Sequence, residues 1–230
     1  MKKSSHQRAL CEDPKIINEW FQVVHNTIAK YGIAEQDIYN FDETSFMMGM
    51  ISTAKVVTGS EIRGRPRLLQ PGNREWYPIL PKGWVIGTSD NGWTNDVLGM
   101  RWLKEVFHEH TKARTAGKYR LLILDDHHSH ATAEFDQFCT ENMIIPLYLP
   151  PHSSHLLQPL DVACFGPLKC AYGQETQTLM QLGINHIDKD DFITLYQQAR
   201  PRALTASNIC SGFAASGLVP FKPEQVLDQQ

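Results

Sequence analysis

Apolar residues recur at three- and four-residue intervals between residues 13 and 31, which is the spacing of one face of an α-helix. Asp13 is suited to cap the first turn, Pro14 to occupy the first helical position and Gly32 to end the helix. We therefore predict a helix whose wide apolar face packs against the rest of the protein. The apolar positions are Ile16, Ile17, Trp20, Phe21, Val24 and Ile28.

Four short apolar stretches predict β-strands. The run 121–124 is continuously apolar, as expected of a central strand covered on both faces. The stretch 38–46 has a strand-like pattern, and 83–88 is a further candidate. The segment 144–149 is also predicted to be a strand, and its proline at position 146 indicates an edge or a bulge.

Helical spacing appears between and after these strands. One helix is predicted from about Asn95 and another after Thr132, which can cap it. The C-terminal part predicts helices at 171–182 and 190–200, then a segment capped by Ser207. Alternating strands and helices predict an α/β domain.

Composition narrows the class of protein. The chain has 230 residues and 42% apolar content, enough for one domain with a sizeable core and a short extra segment. The net charge of -3 gives no global basic signal, so any nucleic-acid contact must come from local clusters. The five cysteines contain no C-x-x-C pair, which favours a reduced intracellular protein. We find no membrane-spanning run and no secretion signal.

Three aspartates could carry metal chemistry. Asp125 follows the 121–124 strand directly, and sites in α/β sheets form where strands end. Asp161 follows a further helix, strand and turn, and Asp42 ends an earlier apolar segment. Three carboxylates holding two divalent cations can activate a water or a 3′-hydroxyl and stabilise the leaving oxygen of a phosphodiester. Alternatively, Asp42 and Glu43 lie in a solvated turn that follows a strand and have no role in metal binding.

The segment 55–74 carries five basic residues and one acid, among glycines and prolines that predict a loop or hairpin. Basic loops commonly neutralise phosphates, and the RGRP sequence at 63–66 resembles the core of a minor-groove AT-hook. A solvated hairpin tip is the alternative. The basic residues are Lys55, Arg63, Arg65, Arg67 and Arg74.

Histidines near the acids suggest a rival metal site. Neutral imidazoles are good zinc ligands, but the chain has no H-E-x-x-H motif. These imidazoles could instead orient waters around a metal or contact a phosphate. A Ser-His-Asp hydrolase is disfavoured because the chain has no G-x-S-x-G elbow. The histidines are His127, His128, His130, His152 and His155.

Four sequence blocks resemble, in order, the DDE superfamily endonuclease domain of pogo-like transposases, the branch of the mariner group that includes jerky and centromere-protein-B-like proteins. The blocks are IYNFDETSF, LLILDDHHSH, LPPHSSHLLQPLDVACFGPLK and SNICSGFAASGLVPFKP. The resemblance runs from about residue 12 to 228. It implies an RNase H-like fold, a mixed sheet flanked by helices, and a metal-dependent acid triad that cuts transposon ends and joins the 3′-hydroxyl to target DNA.

Matched block by block, the resemblance makes Asp42, Asp125 and Asp161 the catalytic and metal-binding acids, holding two Mg²⁺ or Mn²⁺ ions. Glu43 and Asp126 become bystanders. The same resemblance implies contacts to DNA and no small-molecule cofactor. The candidate nucleic-acid contacts are Arg63, Arg65, Arg67, Arg74 and Lys169.

The resemblance also predicts the division of the chain. Residues 1–40 become a linker helix and the remnant of the region after an absent helix-turn-helix domain. Residues 41–182 become the RNase H-like catalytic domain, and 183–230 a C-terminal helical extension. Relatives have more chain between Trp76 and Gly83, so the fold is expected to lack part of its second and third strands. Asp42 would then lose the hairpin partners of its strand.

Two hypotheses of function follow. The first is a DDE-type endonuclease or transposase domain that cleaves and transfers DNA strands by divalent-metal catalysis, and an internal deletion could leave it inactive. The second is a domesticated, non-catalytic nucleic-acid- or chromatin-binding protein that retains the fold. Both predict a nuclear location and no membrane, and a homodimer is a candidate assembly.

Overall fold

The computed structural model describes residues 13–46, 49–50, 87, 94–125, 132–184 and 186–228. By their contacts, the described residues form two compact units. The first unit lies within residues 1–43, 85–165 and 206–230, and the second lies within residues 44–84 and 166–205.

The strands in chain order are β1 (Ile38–Asn40), β2 (Gly49–Met50), β3 (Arg120–Leu124), β4 (Ile144–Tyr148) and β5 (His186–Ile187). In the first unit β1, β3 and β4 form a parallel sheet with β3 in the middle. The proline of β4 lies in an edge strand of this three-stranded sheet, as predicted. The described part of the chain is thus α/β, mostly helical, with a small parallel sheet.

The helices of the first unit lie on both faces of this sheet. The first four in the chain are α1 (Pro14–Tyr31); α2, which begins as Asp96–Arg101, continues as a π-helical stretch (Trp102–His108) and ends as Glu109–Thr111; α3 (Ala133–Glu141); and α4 (Ser154–Leu157). After α4 the chain forms a π-helical segment, Leu160–Cys164, which leads into α5 (Phe165–Gln181). Three further helices follow: α6 (Lys189–Ala203), which belongs with most of α5 to the second unit, and α7 (Ala206–Ala215) and α8 (Glu224–Leu227), which belong to the first.

The central strand β3 is fully buried, and its side chains alternate between two cores. Leu121 and Ile123 pack in a cluster with α1, β1 and β4. Leu122 and Leu124 pack in a second cluster with residues of α2 and α3. Burying an aliphatic side chain stabilises the fold by about 1.5–3 kcal/mol. The prediction of a strand covered on both faces is confirmed.

A buried carboxylate fixes the start of the sheet. Asp37, which directly precedes β1, is fully buried. Its carboxylate accepts hydrogen bonds from the N–H of Ala116 at 3.0 Å and of Gly117 at 2.7 Å. Residues 116 and 117 lie just before β3, so these bonds join the entries of two neighbouring strands.

The second unit has its own small core. Its strands β2 and β5 pair antiparallel, and α6 follows β5 closely. Four aromatic rings contact one another with centroids 4.9–5.7 Å apart. Exposed Arg202 of α6 forms an ion pair with Glu175 of α5. The aromatic residues are Phe46, Tyr172, Phe192 and Tyr196.

The predicted helix starts are largely confirmed. Asp13 accepts from the N–H of Lys15 at 2.9 Å, and Gly32 ends α1 at φ 61. Asn95 and Thr132 likewise accept hydrogen bonds from the first turns of α2 and α3.

The helices predicted around 171–182 and after Ser207 are present, but both start earlier than predicted. α5 begins at Phe165, six residues before the predicted start, because the π-helical segment Leu160–Cys164 leads into it without a break. α7 begins at Ala206, so Ser207 lies inside the helix and does not cap it. α7 starts two residues earlier than a Ser207 cap would place it, and Thr205, another residue type favoured at the N-cap, directly precedes it.

Other predictions stay untested. The predicted strand at 83–88 and the expected loss of the second and third strands fall on residues that lie, except for Gly87, outside the described ranges. The domain limits at residues 40 and 182 stay a prediction. The described cysteines 139, 164, 170 and 210 are free thiols.

Candidate active site

Two of the predicted acids follow neighbouring parallel strands. Asp125 comes directly after β3, and Asp42 comes two residues after β1. β1 and β3 are paired with Asn40 opposite Ile123, and continuing this register brings Asp42 level with Asp125. The carboxyl ends of parallel strands meet at one edge of a sheet, which is where α/β proteins place their sites.

Phe41, the residue before Asp42, is held through its N–H, its carbonyl and its aromatic ring. The N–H of Phe41 donates to the carbonyl of Ile123 at 3.0 Å, which extends the β1–β3 pairing by one step. The carbonyl of Phe41 accepts from the side-chain amide of Gln158 at 2.9 Å. The Phe41 ring packs on Trp102, with ring centroids 3.8 Å apart. Asp42 therefore leaves the sheet from a fixed point.

The third acid, Asp161, lies in the π-helical segment Leu160–Cys164. The N–H of Leu160 donates to Asn40 Oδ1 at 3.1 Å. Asn40 Nδ2 donates to Gln158 Oε1 at 2.9 Å. These bonds tie the start of the π-helical segment to the end of β1. π-Helical turns inside helices are frequent at functional sites.

The back of the Asp161 segment is packed against α7. Gly212 of α7 approaches so closely that a Cβ there would lie 2.5 Å from the carbonyl oxygen of Pro159 and 3.3 Å from the Cβ of Ala163. Only a residue without a side chain allows this approach. Gly212 therefore lets α7 support the segment that carries Asp161.

The pKa of Asp42 depends on the charges of the other two acids. Burial and the charge of Asp161 raise the pKa of Asp42 from 3.8 to about 7. The N–H of Glu43, which donates to Asp42 Oδ1 at 2.7 Å, opposes this rise, and the charge of Asp125 adds to it. A side-chain hydrogen bond from Gln158 lowers the pKa slightly. The structure thus brings Asp42 within electrostatic range of both other predicted acids.

The chemistry of this donor set suits a divalent cation, since magnesium and manganese prefer carboxylate oxygens. A cation would also relieve the repulsion that raises the pKa of Asp42. The positions of these side chains support a metal site less than their chemistry does. Within the described ranges, no three histidine, cysteine, aspartate or glutamate side chains form a group that could hold a metal ion. The carboxylates interact electrostatically without forming a ready chelate.

The structure gives less information about the other predicted site residues. His152 and His155 are exposed, and residues 127, 128 and 130 lie outside the described part of the chain. The four candidate arginines at 63, 65, 67 and 74 and the bystander at 126 also lie outside it. Lys169 is exposed on α5, in the second unit.

Three residues of this site are not found by sequence reasoning: Asn40, Gln158 and Gly212. A signal does exist, since each amide precedes an acid by two or three residues, in N-F-D and in Q-P-L-D. Polar residues such as asparagine and glutamine do not contribute to a periodic hydrophobic pattern. Their spacing from the acids alone therefore does not predict that the two amides meet.

Comparison with known proteins identifies the family. Residues 71–213, more than half of the chain, match the family described as DDE superfamily endonuclease. The chain belongs to this family. Asp125, Asp161, Gln158 and Gly212 lie inside the matched range, and Asp42 lies before it. The predicted resemblance to a DDE endonuclease is confirmed at this level, while the pogo-like subgroup stays a prediction.

Two relatives share parts of the sequence. The chain is 44% identical over 231 residues to "MFS-type transporter clz9" of Cochliobolus lunatus, an alignment that covers 87% of this chain and 25% of the relative. It is 58% identical over 50 residues to "Chaetoglobosin A biosynthesis cluster protein C" of Chaetomium globosum, covering 22% of this chain and 12% of the relative. The chain thus spans a quarter or less of each relative.

Two further findings are negative. No solved structure matches the chain significantly. Among the described residues, no helix is both long and apolar enough to cross a membrane.

Proposed function

We propose that the chain is a DDE-type endonuclease or transposase domain that cleaves and transfers DNA strands, with Asp42, Asp125 and Asp161 as its acid triad. One observation supports this most: two of the acids follow paired parallel strands, and Asp42 interacts electrostatically with both of the others. DDE endonucleases typically use divalent metals and act on DNA. A nuclear location and an RNase H-like sheet belong to the same proposal.

Each acid has a part in this chemistry. Bound magnesium or manganese would supply a polarised water or 3′-hydroxyl and stabilise the leaving oxygen of the phosphodiester. Asp42, Asp125 and Asp161 would hold the cations through their carboxylates. Asp42 must lose its proton to do so, and burial and the charge of Asp161 raise its pKa to about 7. Phe41 and the π-helical segment fix where two of these carboxylates leave the backbone.

Contacts to DNA would come from basic side chains outside the triad. The candidates are Arg63, Arg65, Arg67, Arg74 and the exposed Lys169. Neutralising phosphates releases counterions, so this contribution to binding would weaken as salt rises.

The alternative is a domesticated, non-catalytic DNA- or chromatin-binding protein with the same fold, and the electrostatic coupling of Asp42 to the other acids is compatible with it. In that case the sheet and the positions of the acids would be retained without catalysis. The two functions differ in whether DNA is cut.

A metal-dependent nicking assay on DNA tests the enzyme hypothesis. We expect the wild-type chain to nick DNA with Mn²⁺ or Mg²⁺ and not with EDTA. We expect Asp125→Asn and Asp161→Asn each to lower the rate by about a hundredfold or more, since even a misplaced catalytic group can cost that much. The matched control is Asp136→Asn, an exposed aspartate on α3, which should cleave like wild type.

The outcomes separate the two functions. Cleavage that is absent, or that is unchanged in Asp125→Asn, contradicts the enzyme hypothesis. Salt-sensitive DNA binding without cleavage would then support the second function. The absence of both would contradict the two proposals together.

A further inference from the structure

Two amide side chains interlock beside the candidate triad. Asn40 at the end of β1 and Gln158 after α4 are far apart in sequence, and Gln158 is fully buried. Asn40 Nδ2 donates to Gln158 Oε1 at 2.9 Å. Gln158 Nε2 donates to the carbonyl of Phe41 at 2.9 Å, and Asn40 Oδ1 accepts from the N–H of Leu160 at 3.1 Å. We call this arrangement the amide lock.

The hydrogen-bond partners fix the orientation of both amides. A backbone N–H can only donate, so the atom of Asn40 facing Leu160 must be the oxygen. A backbone carbonyl can only accept, so the atom of Gln158 facing Phe41 must be the nitrogen. The remaining two atoms then form a donor–acceptor pair. Rotating either amide by half a turn would break two of the three bonds.

The lock acts on the residues next to two acids. Phe41, whose carbonyl it binds, directly precedes Asp42. Leu160, whose N–H it binds, directly precedes Asp161. Asn40 Nδ2 also lies 3.3 Å from the carbonyl of Ile123, two residues before the third acid. The lock therefore joins all three segments from which the acids project.

We propose that Asn40 and Gln158 are positioning residues that hold the Asp42 and Asp161 carboxylates at the separation needed to bind a divalent cation. This inference rests on the proposed function, since it assigns the two amides to the metal chemistry of the triad. Neither amide is proposed to contact the cation. They act through the backbone of the residues that precede the acids, and Gln158 also acts through a hydrogen bond to the side chain of Asp42.

The burial of Gln158 supports a positioning role. A buried amide must make its hydrogen bonds to offset its desolvation, and an apolar side chain of similar size would avoid this requirement. Here both bonds of the amide, to the carbonyl of Phe41 and from Asn40, reach the segment that carries Asp42, while Gln158 itself precedes Asp161 by three residues. Residues that orient metal ligands typically change metal affinity by about 10–100-fold when they are replaced.

Manganese binding to the full chain tests the proposal without a need for cleavage. The free Mn²⁺ would be measured by electron paramagnetic resonance, well below the melting temperature of each variant. We expect Gln158→Met, which keeps the approximate length without the amide, to weaken Mn²⁺ binding by about tenfold or more. Asn40→Ala attacks the lock from the other side and should give a similar loss. Gln137→Met is the control, since Gln137 is an exposed glutamine on α3 whose amide bonds Glu141.

The double variant and the melting temperatures together distinguish a positioning role from a general loss of stability. If the two amides act as one lock, Asn40→Ala combined with Gln158→Met should weaken Mn²⁺ binding no more than the stronger single variant does. A purely structural role would lower the melting temperature of the metal-free protein and leave the Mn²⁺ affinity of the folded protein unchanged. Should Gln158→Met fail to fold, the same criteria apply to Asn40→Ala alone.

Asp161→Asn separates a failure of this proposal from a failure of the proposed function. Mn²⁺ binding that requires Asp161 but is the same in wild type, Gln158→Met and Asn40→Ala overturns the positioning role and leaves the endonuclease proposal standing. Wild-type protein that shows no Asp161-dependent Mn²⁺ binding overturns both.

Discussion

Replacing Asp42 by asparagine tests whether an ionised carboxylate at this position destabilises the fold. Burial and the charge of Asp161 raise the pKa of Asp42 to about 7, and the charge of Asp125 adds to this effect. Asparagine has nearly the same shape and cannot ionise. We therefore expect Asp42→Asn to be more stable than wild type when the metal-free proteins are compared above pH 7.

The sign follows from proton binding. In the unfolded chain Asp42 ionises near its ordinary pKa of 3.8, whereas the folded protein keeps the proton up to about pH 7. Between these values the folded state binds more protons, so the free energy of unfolding falls as the pH rises, and the full penalty is present above pH 7. The difference between the two pKa values corresponds to at most about 4 kcal/mol. Because Asp42 is partly exposed, solvent screening reduces the expected effect to about 1–3 kcal/mol.

Urea unfolding followed by circular dichroism in EDTA measures this effect. The stability gained by Asp42→Asn should be small at about pH 4 and should grow to its full value at about pH 8. Asp136→Asn on α3, an exposed aspartate, is the control for the substitution itself. A variant that is equally stable or less stable than wild type at about pH 8 would refute the electrostatic account of Asp42.

Two other substitutions test the packing behind the Asp161 segment and the hydrogen bonds at the start of the sheet. Gly212→Ala should destabilise the protein by about 1–3 kcal/mol, because the new Cβ meets the backbone 2.5 Å away. Gly173→Ala on α5 is its matched control, since a Cβ there meets nothing within 4 Å and should stabilise the helix by up to about 1 kcal/mol. Thermal unfolding compares the two, and equal effects would contradict the close approach of α7. Asp37→Ala should cost about 2–4 kcal/mol in urea unfolding, because two N–H groups before β3 lose their acceptor; an effect below about 0.5 kcal/mol would show that water replaces the carboxylate.

Local patterns in the sequence predict much of the first unit. The helix α1 is predicted because its apolar spacing, its capping Asp13 and its terminating Gly32 all lie within one short stretch. β3 is predicted because a strand with two buried faces must be continuously apolar. Asp125 is predicted because it follows such a strand directly. In each case the cause and the result are close together in the chain.

The parts that sequence reasoning misses depend on contacts between distant segments. The pairing of Asn40 with Gln158 joins residues 118 positions apart, and neither residue belongs to a periodic pattern. Gly212 could equally be a weak point in a helix, and only the nearby carbonyl of Pro159 explains it. The start of α7 is missed for a different reason: Ser207 is suited to cap a helix, but Thr205, another residue type favoured at the N-cap, directly precedes the helix. Local propensity ranks such choices, and tertiary packing decides among them.

The anchor of Asp42 changes how the short connection between Trp76 and Gly83 should be interpreted. The sequence predicts that losing hairpin neighbours would leave Asp42 unsecured. In the structure β1 is instead paired with the central strand β3, and Phe41 continues that pairing through its N–H. The amide of Gln158 then holds the carbonyl of Phe41. Since these bonds all lie within the first unit and none involves residues 77–82, the short connection is not by itself an argument that the candidate triad is inactive.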